Sequence, residues 1–124
     1  MRRIATEWLL AALLLSACKD HAPSPADIAD RGWYAHEIVI AAGEHAKTCA
    51  EAGPAMQQLF VVNRQAFVDA VALDNDKSRL QEATDFIAEH GDRYDGLELR
   101  MEALASRCAD DAAVQAVFRQ MEAP

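Results

Sequence analysis

From Pro25 to Met121 apolar residues recur every three or four positions, and no stretch alternates apolar and polar in the period of two that a strand requires. With only five Gly and four Pro in 124 residues and abundant Ala, such a chain can bury its apolar side chains only as helices. The expected fold class is therefore all-α, a small bundle. A first helix is expected from about Pro25 to Ala52, with a seam of Ala35, Ile38, Ala42, His45 and Cys49 widened by Val39 and Ala46. Gly53-Pro54 reads as its end and the start of a second helix to about Leu73, with Met56, Leu59, Phe60, Val62, Phe67, Val68 and Val71 inward. Asp74-Asn75-Asp76 breaks that helix, and Asp76 can cap the next. Lys77 to His90 carries a weaker stripe of Leu80, Ala83, Phe86 and Ile87. Gly91-Asp92 reads as a C-cap followed by an N-cap, and Tyr94, Leu97, Met101, Leu104 and Cys108 form a clean seam. Asp110-Asp111 offers a cap for a short last helix with Val114, Val117, Phe118 and Met121 inward.

The N-terminus has a different character. Arg2 and Arg3 precede the apolar run Trp8–Leu15, which is too short for a membrane span of about 20 residues. Small residues and a cysteine follow, in the order of a secretory signal peptide. Leu15-Ser16-Ala17-Cys18 resembles the bacterial lipobox, which implies cleavage before Cys18 and a diacylglycerol on that cysteine as the membrane anchor. Several acyl chains anchor stably where one is marginal. Lys19 stands where an inner-membrane retention signal would place Asp, so the resemblance favours the outer membrane, facing the periplasm. The expected organisation is a signal peptide at 1–17, a lipidated cysteine and polar tether at 18–26, and a helical domain at 27–124.

Residues 1–17 carry two Arg and one Glu, which leaves ten basic and nineteen acidic residues in the mature chain, a net charge of −9. Such a surface has no basic stripe to follow phosphates, so no nucleic-acid partner is expected. It suits either solubility or a basic protein partner. With Cys18 acylated, Cys49 and Cys108 remain as an even pair in an oxidising compartment, and a disulfide is expected. Both lie near expected helix ends. They can meet only if residues 77–108 run broadly in one direction, since bonded α-carbons lie within about 7 Å. Three long helices, the third kinked near Gly91, with a short C-terminal helix folded back, satisfy that condition.

Little in the sequence carries chemistry. His45, Cys49, His90 and Cys108 are the raw material of a Cys2His2 zinc site, but their spacing is not that of a zinc motif and the disulfide competes for the cysteines. No Cys-x-x-Cys-His haem motif or Glu-x-x-His di-iron motif occurs, and Met56 and Met101 sit at core spacing. No metal or cofactor is expected. Ser24, Ser78 and Ser106 lie in no Gly-rich nucleophile turn, and no enzymatic activity is expected. Glu37, Glu44 and Glu51, seven residues apart, read as a solvated stripe. The candidate partner contacts are Trp33 and Tyr34, which as neighbours cannot share one helix face, and Asn63 and Arg64 in the middle of an apolar helix.

The lipobox, the Ala-rich helix up to Lys47-Thr48-Cys49, and Cys108 followed by a short apolar helix with Phe118 together resemble the pilotins of type II secretion systems. These are small helical lipoproteins that hold a segment of the secretin. The resemblance implies a non-enzymatic adaptor with a groove for an amphipathic partner helix. Two alternatives stay open: an inhibitor or immunity-type lipoprotein against a basic hydrolase, and a structural envelope lipoprotein.

Overall fold

Ser24 starts the first helix with a capping box. Its Oγ accepts from the Asp27 amide at 3.1 Å, and Asp27 Oδ2 accepts from the Ser24 amide at 3.4 Å. The computed structural model describes residues 22–124, so the lipobox, Cys18 and the start of the tether lie outside the described residues. Among the described residues there are six helices and no strand: α1 (Pro25–His45), α2 (Cys49–Val62), α3 (Arg64–Asp74), α4 (Lys77–Glu89), α5 (Gly91–Arg107) and α6 (Ala112–Glu122). The fold is an all-α bundle, and Pro25 and Ala26 belong to its first helix rather than to the tether.

The first corner departs from the sequence expectation. α1 ends at His45, and Thr48 caps α2 by accepting from the Glu51 amide at 3.2 Å, so Cys49 opens a helix instead of approaching the end of one. Gly53 and Pro54 lie inside α2. Gly53 serves close packing: a Cβ there would lie 2.7 Å from Ala113 Cβ, so α6 crosses against bare backbone. The seam of α1 shifts accordingly. Its buried side includes Ala29, Gly32, Ala35, Val39, Ile40 and Gly43, while Ile38 and Ala42 are half-buried and His45 is exposed. Gly43 belongs to the core because a Cβ there would lie 2.6 Å from Leu104 Cδ2 and 2.7 Å from Met56 Sδ.

Asn63 breaks the second leg. Its Nδ2 donates to the Leu59 carbonyl at 2.8 Å, competing with the helical ladder, and α3 restarts at Arg64. Met56, Phe60 and Phe67 stay inward. Val62 falls off that face and is 76% exposed, and Val68 is also exposed, so the expected inward row was too broad. Asp76 caps α4 as expected, accepting from the Ser78 amide, and Asp111 caps α6 by accepting from the Val114 amide at 2.9 Å. Between α4 and α5 the connection is the single residue His90, and Gly91 is the first residue of α5 rather than a left-handed C-cap. No described glycine has a positive φ.

The order of contacts gives the topology. Gly32 faces Ala70 and Gly43 faces Met56, so α2 and α3 run back along α1. Arg79 reaches the Pro23 carbonyl, Tyr94 the Ala29 carbonyl, and Arg107 the Gly43 carbonyl, so residues 77–107 rise beside α1 in its own direction. α6 then descends beside α2. Three long legs, the second broken at Asn63 and the third at His90, are followed by a short returning helix. Cys49 and Cys108 meet at one end as a disulfide with α-carbons 5.6 Å apart. The main core gathers Val39, Ile40, Met56, Phe67, Leu104 and Val114, and a smaller cluster of Ile28, Ala29, Leu73 and Ala83 lies at the opposite end.

Candidate functional site

At that opposite end the helices do not close on one another. A groove of about 290 Å³ opens between α1, α3, α4 and α5. Its cause is side-chain size. Ala29 and Gly32 on α1, Ala70 on α3 and Ala83 on α4 present too little bulk to fill the space between four helices. Larger apolar groups border it: Leu73 and Leu80, Ile87, Leu97 and Met101. On α1 the lining runs from Ala29 to His36 and on α5 from Tyr94 to Met101. At 1.5 Å per residue this makes a trough about 10 Å long, two helical turns.

Four polar side chains enter an otherwise apolar wall in different ways. His36 is half-buried, its Nδ1 lies 2.7 Å from the Gly32 carbonyl, and its ring packs 4.6 Å from that of Phe67. Burial pushes its pKa below the ordinary histidine value, against the opposing pull of the Gly32 carbonyl, so the imidazole is neutral at pH 7. The Tyr94 hydroxyl donates to the Ala29 carbonyl at 3.2 Å, and burial raises its pKa. Glu98 lies exposed on the border, as does Asp74 across from it on α3.

Trp33 divides this groove from a second cleft of about 530 Å³, which it lines together with Tyr34, Asn63 and Ala66. Trp33 itself is half-buried and well held. Its Nε1 donates to the Arg93 carbonyl at 3.3 Å, and the Arg93 guanidinium stacks 4.0 Å from its ring while pairing with Asp30. Tyr34 is 58% exposed. Three of the four candidate contacts thus come together, with one ring packed and the other facing out. Arg64 does not join them: its Nε and Nη2 donate to the Pro124 carbonyl at 3.2 and 2.7 Å, so it ties α3 to the end of the chain.

No protein-family model, curated protein or solved structure matches this chain.

Among the described residues no group of three or more His, Cys, Asp or Glu side chains gathers as metal ligands. The disulfide takes both cysteines of the Cys2His2 set, and His45 and His90 lie on different legs. No described helix is long and apolar enough to cross a membrane. The glutamate stripe is not simply solvated. Arg100 Nη1 donates to Glu37 at 2.7 Å and its Nη2 to Glu44 at 2.6 Å, clamping α5 to α1, and only Glu51 of the three stays exposed. Arg100 holds the Glu44 carboxyl below its ordinary range. The groove itself escaped the sequence reading. In the sequence Leu80, Ala83 and Ile87 show as a weak stripe and Tyr94, Leu97 and Met101 as a seam. Gly32 and Ala70, however, define the groove by what they lack.

Proposed function

We propose that this chain is a lipid-anchored, non-enzymatic adaptor of the bacterial cell envelope, holding an apolar segment of a protein partner in the groove beside Gly32. The groove is the observation that supports this reading. Its floor is the buried Ala29, Leu73, Ala83 and Leu97, and its rim leaves Ile87, 38% exposed, and the half-buried Leu80 and Met101 open to a partner. An incoming amphipathic helix presents its i, i+3/i+4 and i+7 side chains over the length of this trough. The lipobox resemblance at 15–18 supplies the anchor, and the pilotin resemblance supplies the precedent of a small helical lipoprotein that grips a segment of a larger envelope protein.

The test uses the full chain in its native cells. A photo-crosslinking amino acid at Ile87 should yield an adduct with one envelope protein, and the same group at Leu99, 67% exposed and outside the groove, should not. Adducts from Leu99 alone would overturn groove binding and favour a charge-steered inhibitor using the acidic outer surface. For the anchor, Cys18→Ser should release the chain from the membrane fraction; persistence there would defeat the lipoprotein reading.

A further inference from the structure

We infer that the segment filling the groove is a cationic amphipathic helix, with an apolar face bordered by lysine or arginine. This rests on the reading of the groove as a partner site and adds the chemistry of the partner. The carboxylates that α1 directs toward α5 all have cations of their own: Asp30 has Arg93, and Glu37 and Glu44 share Arg100. The two carboxylates bordering the groove, Asp74 and Glu98, have no ion pair or side-chain hydrogen bond among the described residues, and no lysine or arginine lines the groove.

Asp74 makes the asymmetry sharper. It is the last residue of α3, where outward-pointing carbonyls favour a cation and disfavour a carboxylate. Within the domain, this is a poor place for an acid. A lysine or arginine arriving on a partner would meet both the Asp74 carboxylate and the negative end of α3, and Glu98 would offer a second acceptor from α5. The apolar walls between them would take the partner's leucine-sized side chains. An anionic helix would instead meet two uncompensated like charges, which excludes it as effectively as the cationic one is attracted.

The experiment uses the full-length chain in nanodiscs of zwitterionic phosphatidylcholine, with empty discs as the blank. Two labelled 14-residue helical peptides are the probes. They share leucines at i, i+3, i+7 and i+10 and differ only in carrying lysine or glutamate beside them. Fluorescence anisotropy at low salt should show the lysine peptide binding at least tenfold more tightly. Asp74→Asn with Glu98→Gln should weaken it about tenfold, whereas Asp110→Asn with Glu122→Gln, the same change in net charge away from the groove, should leave it within twofold. Equal binding of both peptides, or equal weakening by both variant pairs, would overturn the cationic partner while leaving the groove as an apolar site. Binding of neither peptide, or undiminished binding when Ala70→Leu fills the groove, would overturn the partner-site reading itself.

Discussion

Cys49 opens α2 and Cys108 follows the last turn of α5, and the bond between them joins the two helical corners at one end of the bundle. The bridge spans 59 residues of sequence. In the chain-entropy model, closing such a loop stabilises the fold by about 4 kcal/mol. Cys49→Ser with Cys108→Ser should therefore remove a large share of the stability of so small a domain, read as a lower urea midpoint against the oxidised parent. Reduction of the parent should reproduce the loss.

The glycines of α2 and α5 should respond to alanine with opposite sign. A Cβ at Gly53 meets Ala113 Cβ at 2.7 Å and the α6 backbone at 3.3 Å, neither of which can swing aside, so Gly53→Ala should cost about 1–3 kcal/mol. Gly96 lies exposed within α5 with nothing within 4 Å of the added carbon, so Gly96→Ala should gain about 0.5–1 kcal/mol. Thermal melts of the two variants would settle both signs.

His36 should make stability depend on pH near neutrality. Its pKa in the folded chain lies below the ordinary value of 6.5, so the unfolded chain binds the proton more readily. The contribution of the neutral ring is present above 6.5, falls as pH drops below it, and levels off beneath the folded-state pKa. Denaturation midpoints between pH 7.5 and 5 should decline for the parent, and His36→Gln should flatten that part of the curve.

A second acid window belongs to Glu44, whose pKa Arg100 depresses from the ordinary 4.5. Its stabilisation is present above that value and disappears as pH falls through the lower folded-state pKa. The groups are partly exposed, so screening keeps the effect modest, and Arg100→Leu should cost on the order of 1 kcal/mol at low salt. Adding salt should shrink the difference between parent and variant, and so should acidification below the carboxylate range.

The legs of the bundle were legible because Tyr94, Leu97, Leu104 and Cys108, or Val114, Val117 and Met121, repeat on one helical face within a single element. The corner at residues 46–48 was not. Gly53-Pro54 is a stronger local punctuation than Thr48, yet Gly53 is required for the contact with Ala113, a residue 60 positions away. A similar reason hid the groove. It arises where small residues of three helices, Gly32, Ala70 and Ala83, happen to face each other, and no single stretch of sequence marks that coincidence. Trp33, Tyr34 and Asn63 were legible as unusual residues, but only the packed structure separates the ring that Arg93 covers from the one left outside.

The smaller apolar cluster has a mechanical consequence. The disulfide pins the bundle covalently at one end, while α4, at the other, contributes Ala83 as its only fully buried residue. Opening therefore costs least at the α4 end. Amide exchange should be fastest in α4 and slow progressively toward the Cys49–Cys108 corner. A chain built with that gradient can widen its groove by loosening a single short helix while the rest of the bundle stays folded.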